Sequence, residues 1–271
     1  MKRSWYASPY ALWMLLFAVV PLLFVCWYAF TTPEGTFTLS NFQEFSKPRY
    51  VAVILRSLKH ALYCTALCLV IGYPTAYFLA GRGLNHAQSL VVLILLPMWM
   101  NLLLRTYAMM TLLDDNGVLN AVLEAIGLNK VRIIGTEGAV VMGLVYNYLP
   151  FMVLPIYTVL KKMDYSIIEA AEDLGCSPLR VVSRVVLPMS IPGVVSGITM
   201  VFMPSVTTFS ISRLMSSGMI YLVGDMIEDY FISMNNRNVG STISLVMLVL
   251  IILSIGFLRK VDPDNEGGGL W

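Results

Sequence analysis

Charge is what this sequence has least of. Only 13% of its 271 residues are Asp, Glu, Lys or Arg, against about a quarter in soluble domains. With 58% hydrophobic residues as well, the chain is too apolar to be a soluble globular domain. The net charge of +2 provides no basic face, so nucleic acid is not an expected partner. Histidine is scarce too: His60 and His86 stand far apart, and no Cys/His spacing resembles a zinc site. The four cysteines, Cys26, Cys64, Cys68 and Cys176, are read as packing residues. No Gly-x-x-x-x-Gly-Lys-Ser/Thr loop is present to hold nucleotide phosphates. Neither His-Glu-x-x-His nor Gly-x-Ser-x-Gly occurs, and no carboxylate pair falls in an apolar run, which argues against an intramembrane enzyme. No metal and no bound cofactor are expected.

Apolar runs are abundant instead. Six of them, roughly Tyr10–Phe30, Ser57–Ala80, Ala87–Leu104, Gly138–Leu160, Ser190–Ile211 and Val239–Leu258, approach the roughly 20 residues a helix needs to cross a bilayer. Backbone groups in lipid must be satisfied within the segment, and runs of this length read as helices, not barrel strands. The expected fold is all-α and polytopic, a single transmembrane unit over 1–271. Lys2 and Arg3 precede the first run, but it is long for a signal sequence and no small-x-small cleavage site follows. It reads as a retained helix with the N-terminus in the cytoplasm. Six spans place the C-terminus on the same side. Positive charge supports this weakly: nine basic residues on the inner segments, from Lys2 to Lys260, stand against eight on the outer ones.

The segment from Lys161 to Pro188 is the polar exception between two apolar runs. Glu169 to Leu174 favour helix, and Gly175 suits a helix C-terminus. Ser177-Pro178 is an N-cap followed by a preferred first helical residue. A second helix is expected from Pro178 to about Val186, stopped by Leu187-Pro188. Ser190-Ile191-Pro192 then re-enters the membrane. The predicted form is a compact knob of two short helices.

This knob resembles the signature of ABC importer permeases: Glu-Ala-Ala, three residues, Gly, and a later Leu-Pro. The matching residues are Glu169, Ala170, Ala171, Gly175, Val185, Leu187 and Pro188. Val182 departs, since an aromatic is common at its place. The resemblance covers about 57–259 as a permease core, leaving 10–30 as an extra N-terminal helix and 161–188 as a coupling loop. It implies the type I ABC importer permease fold in the bacterial cytoplasmic membrane, with the loop docked on a cytoplasmic ATPase. It further implies a second, similar permease as a heterodimer partner, two ATPase copies that use ATP and Mg, and an extracellular substrate-binding protein. Leu96-Pro97-Met98-Trp99, Arg105-Thr106-Tyr107, Asn116 to Asn120 and Tyr146 to Val153 resemble the spermidine/putrescine subclass. Permeases for iron, thiamine or other solutes share parts of these segments. A non-catalytic scaffold is the remaining rival, and it does not require the Glu169–Pro188 arrangement.

A polycation crossing a low-dielectric region needs carboxylates or aromatic faces. All sixteen carboxylates fall in predicted loops, so this chain offers no buried anionic trap. Candidate path residues are Trp99, Tyr107, Tyr146 and Tyr148, which could equally form an interfacial belt. Asp225, Glu228 and Asp229, spaced to share one helix face, are either a solvated face or a cation-attracting mouth. Pro204, Thr207 and Thr208 interrupt the fifth run and mark either a satisfied kink or a broken helix lining a cavity. Gly193 and Gly197 are expected at a close helix contact, within or between permeases.

Overall fold

A computed structural model describes residues 8–45, 47–81 and 87–261. Lys2, Arg3, Arg82, His86 and the tail glycines Gly267, Gly268 and Gly269 lie outside the described residues. Five helices are long and apolar enough to span a membrane: α1 (Pro9–Ala29), α3 (Pro48–Ala80), α7 (Glu137–Lys162), α9 (Pro178–Thr207) and α12 (Arg237–Gly256, continuing to Val261). Shorter helices join them: α2 (Ser40–Phe45), α4 (Ala87–Leu95), α5 (Leu102–Leu113), α6 (Val118–Ala125), α8 (Ser166–Asp173), α10 (Ser210–Met215) and α11 (Val223–Ile232). The one β-bridge among the described residues, Thr31 to Phe37, closes a turn after α1.

The third apolar run departs from expectation. It is not one straight helix but a pair of helices bent by 97° at a short break, which together pass as a broken span or a re-entrant loop. Pro97 sits in a tight 3₁₀ turn over Leu96–Trp99, after which Met100 and Asn101 are extended. Asn101 then starts α5 by accepting hydrogen bonds from the Leu103 and Leu104 amides, at 2.8 and 3.4 Å. The Leu-Pro-Met-Trp segment therefore builds an elbow. Beyond α5, the Asp114–Gly117 turn is tied down by buried Asn120. Its amide nitrogen donates to the carbonyls of Asp114, Asp115 and Val131, and its oxygen accepts the Val131 N–H.

The second run also starts earlier than expected, because Pro48 opens α3 nine residues before Ser57. At α9 the difference is larger. The expected stop at Leu187-Pro188 does not occur, and one helix runs from Pro178 to Thr207. A proline has no N–H and crowds the carbonyl four residues back. The helix accommodates Pro188 by widening into a π turn over Val182–Val186, with the Leu187 N–H bonded to the Val182 carbonyl. A second π turn, Leu15–Val19, precedes Pro21 in the same way. Pro192 and Pro204 also lie inside the continuous helix.

The core is the triple contact of α3, α7 and α9, filled by Cys64, Cys68, Leu144, Met152, Ile156 and Val201. Gly193 and Gly197 bring α9 onto α7. A Cβ at Gly193 would lie 2.9 Å from the Pro155 carbonyl oxygen, and one at Gly197 2.7 Å from the Met152 sulfur. The close contact expected from these glycines is thus within the chain. The peripheral α1 packs along α12, where Asn238 donates to the carbonyls of Tyr28 and Thr31 at 3.1 and 2.6 Å.

Candidate functional site

Two elbows lie at opposite ends of α9. The first joins α7 to α9 through α8. Asp164 opens α8 by accepting the Ser166 N–H at 3.0 Å. At the other end, Cys176 N–H bonds the Ala171 carbonyl at 3.1 Å and Gly175 N–H the Glu172 carbonyl at 2.8 Å. Gly175 has φ +81°, a left-handed conformation that glycine adopts without a Cβ clash. Ser177 occupies the capping position of α9, yet only its carbonyl is used; its hydroxyl makes no capping bond.

The Glu-Ala-Ala triplet does not act as one surface. Ala171 is half-buried and packs with Ile168 on the core, whereas Glu169 and Ala170 are exposed. Leu187 and Pro188 are exposed on the continuous α9. Cys176, expected in a polar loop, is half-buried against the core. Sequence reasoning missed the two most prominent residues here, Leu174 and Leu179, which are 86% and 83% exposed. The two leucines flank the Gly175 corner and leave it apolar on its outer side. The available signal was a leucine on either side of Gly175-Cys176-Ser177-Pro178, where a free loop would be polar.

The second elbow joins α9 to α12 through α10 and α11. It holds Asp225, Glu228 and Asp229, and they do not form a simple solvated face. Asp225 is 2% exposed. One of its oxygens accepts the Ser212 hydroxyl at 2.8 Å and the Leu222 N–H at 2.9 Å, which caps α11. Arg213 stands over all three acids: 2.8 Å from Glu228, 3.1 Å from Asp229 and 3.9 Å from Asp225. The Tyr221 hydroxyl donates to Asp229 at 2.8 Å. Burial pushes the Asp225 carboxyl above its ordinary pKa, opposed by the Leu222 and Ser212 bonds and by Arg213. Burial and the neighbouring Asp229 push the Tyr221 phenol upward, keeping it a donor. The cluster is thus an internally paired brace: Asp225 is buried, but it lies outside the spans and is paired, so it is no anionic trap within the membrane.

The aromatic candidates are not gathered together. Trp99 is exposed at the α4–α5 elbow, Tyr107 on α5 and Tyr146 on α7. Tyr148 is buried. Two residues apart on a helix of about 100° per residue, Tyr146 and Tyr148 face opposite sides. Thr207 lies in the last turn of α9, bonded to the Met203 carbonyl at 3.3 Å, and Thr208 ends the helix through its N–H to the Pro204 carbonyl. Pro204 therefore interrupts nothing; the break comes after it, at Thr208. Near this junction Arg105 is 5% exposed, and its Nε and Nη1 have no hydrogen-bond partner among the described residues. Buried Asn147 donates to the Gly143 carbonyl and to Thr106.

A multi-span helical bundle with an exposed, rigid corner on one end is the form of a membrane transport component. The family described as "Binding-protein-dependent transport system inner membrane component" matches residues 4–266. The chain belongs to this family. It is 35% identical over 251 residues to the spermidine/putrescine transport system permease protein PotB of Haemophilus influenzae, covering 90% of this chain and 88% of that protein. The Escherichia coli PotB gives the same identity, with 91% of its length covered. The E. coli inner membrane ABC transporter permease protein YdcU is 28% identical over 244 residues, covering 85% of this chain and 77% of its own. Among solved structures, a chain of a bacterial alginate ABC transporter, in complex with its pentasaccharide-bound periplasmic protein, superposes with TM-score 0.78. It is 16% identical and covers 99% of this chain and 98% of its own. A chain of the inward-facing MetNI methionine ABC transporter gives 0.59 at 18% identity, covering 78% and 93%. These structures establish the ABC importer permease fold.

Proposed function

We propose that this chain is the permease subunit of a polyamine importer, forming half of a path for spermidine or putrescine. The observation that carries the cargo is the 35% identity, over 90% of the chain, to permeases named for spermidine and putrescine. The chain lacks a phosphate-binding Gly-Lys-Ser/Thr loop, so two copies of a partner ATPase use the ATP and Mg. A second, similar permease completes the path, and an extracellular binding protein delivers the cargo. Both termini and the α8 corner face the cytoplasm. Glu169, Ala170, Gly175, Leu174 and Leu179 form the surface that enters the ATPase. Ala171 packs the inner side of α8 onto the core, and the exposed Leu187 and Pro188 on α9 extend the coupling surface. Nucleotide-driven movement of the ATPases shifts α8, and the rigid continuity of α9 carries the shift across the membrane. Such coupling is reciprocal, so binding-protein docking outside must stimulate hydrolysis inside.

The test is uptake of labelled spermidine by the reconstituted complex, competed by putrescine, thiamine and ferric iron. Putrescine alone should compete. Carriage of thiamine or iron without spermidine overturns the cargo and leaves the permease role standing. Topology has its own check: a Ser177→Cys variant with the native cysteines replaced should react with an impermeant thiol reagent only in inside-out vesicles stripped of ATPase.

A further inference from the structure

Two of the four cysteines form a pair. Cys64 and Cys68 lie one turn apart on α3, their sulfurs 4.0 Å from each other. Both are fully buried, at the triple contact of α3, α7 and α9. The Ser205 hydroxyl of α9 lies 3.5 Å from the Cys64 sulfur, and the Cys68 thiol donates to the Val145 carbonyl of α7 at 3.9 Å. The pair is poorly placed for a disulfide. Bridged cysteines hold their β-carbons about 3.5–4.5 Å apart, whereas side chains four residues apart on a helix keep theirs about 5–6 Å apart. A single ion spans the gap without that strain. Two metal–sulfur bonds of about 2.3 Å separate the sulfurs by about 4.0 Å at an angle of about 120°, and by about 4.6 Å when linear.

We propose that Cys64 and Cys68 form a chelating site for a soft divalent cation that takes two thiolates, the mercuric ion. No third histidine, cysteine or carboxylate joins them among the described residues, so the tetrahedral set that zinc takes is incomplete. Thiolates select soft ions, and mercury(II) is complete with two of them. Each thiol gives up its proton to the buffer, two sulfur–mercury bonds form, and the product is neutral. Charge decides against the monovalent soft ions. A silver or cuprous bis-thiolate would carry one negative charge into a core of Leu144, Met152 and Val201, where an unpaired charge is costly. The interior packs too closely to admit an ion while shut, so mercury enters as α3 parts from α7 and α9. Binding removes the thiol proton that ties Cys68 to Val145, and the ion then props the seam open. The transport cycle stops there. The inference does not depend on which cargo is carried.

The experiment uses the whole transporter in nanodiscs, with Cys26→Ala and Cys176→Ala in this chain and partner subunits free of cysteine. Mercuric chloride is added during ATP turnover, and loosely held ion is washed out with glutathione. Intact-mass spectrometry of this chain should show one mercury gained for two protons lost. Binding-protein-stimulated hydrolysis should be blocked until dimercaptopropanol extracts the metal. Cys64→Ala and Cys68→Ala, made singly, each leave one thiol. Mercury retained through the wash should fall about a hundredfold or more in either, the gain that a second linked contact supplies, and hydrolysis should survive the treatment. Equal retention by the single variants overturns the proposal, as does an absence of mercury from the chain that keeps both thiols. A glutathione carried along with the metal marks attachment through one thiol and overturns it too. If the single variants do not assemble, the mass of the two-thiol chain alone decides.

Discussion

The two elbows at the ends of α9 differ in what their conspicuous residues touch. At the α10–α11 elbow, every acid that could attract a cation already has a partner: Arg213 serves all three, and Ser212, Tyr221 and the Leu222 amide take further oxygens. At the α8 corner the conspicuous residues are apolar and bare, with Leu174 and Leu179 turned to solvent beside a glycine that locks the turn. A charged elbow that satisfies itself is a brace. An apolar elbow that does not is the surface proposed here to meet the ATPase. The linear sequence, in which three acids stand out and two leucines do not, suggests the reverse emphasis.

The sharpest way to break this comparison is to put charge on the apolar corner. Burying a leucine is worth about 1.5–3 kcal/mol, so Leu174→Asp with Leu179→Asp should weaken ATPase association by about a hundredfold or more. The measurement is ATPase copurification with a normally inserted permease. Retention of the ATPase would show that the leucines face something else. Next in size is the turn itself. Gly175→Val forces a β-branched residue into φ +81°, at a cost of about 1–3 kcal/mol. Since a Cβ there meets nothing within 4 Å, the effect should be conformational and local. Expression should survive while stimulated hydrolysis falls, and Gly175→Asn, which tolerates the left-handed region, should recover most of it. Equal damage by Val and Asn would point to steric contact. Glu169→Lys belongs with this pair and should depress transport and stimulated hydrolysis together.

The brace should respond differently. Arg213→Ala removes the cation facing Asp225, and because the arginine is about half exposed, the cost should be about 1–2 kcal/mol. The expected readout is a thermal midpoint a few degrees lower, partly recovered by adding Asp225→Asn. An unchanged midpoint would mean that the ion pairs contribute nothing. The smallest effect belongs to Glu228→Gln with Asp229→Asn. Partly exposed pairs are worth about 1 kcal/mol or less and are screened by salt, so uptake should fall several-fold at most, and less at high salt. Abolished uptake at every ionic strength would restore the cation-attracting mouth that Arg213 argues against.

Much of the architecture was legible because lipid imposes a simple rule. Apolar runs long enough to span must be helices, and five of the six runs each supply one helix long enough to cross. What misled was proline. Pro188 and Pro204 read as interruptions, yet α9 runs through both, with a π turn ahead of Pro188 absorbing the missing donor. Pro97 read as part of a span, yet with Asn101 capping α5 it turns the chain by 97°. The same residue type breaks one helix and leaves another whole, because the outcome depends on whether neighbouring carbonyls find other donors.

Sequence by itself determined the membrane class, the number of apolar runs, that Gly193 and Gly197 make a close helix contact, and the corner at Gly175. Each follows from local chemistry, from lipid's demand for satisfied backbone to the absence of a Cβ. Only the tertiary structure decided which charges are spent. Arg213 and its three acids are 12 to 16 positions apart across α10 and α11, the Nε and Nη1 of buried Arg105 have no hydrogen-bond partner among the described residues, and Ala170 is exposed while its neighbour Ala171 is half-buried. An ion pair or a buried face depends on distances between helices, and those are set by packing, which no local pattern encodes.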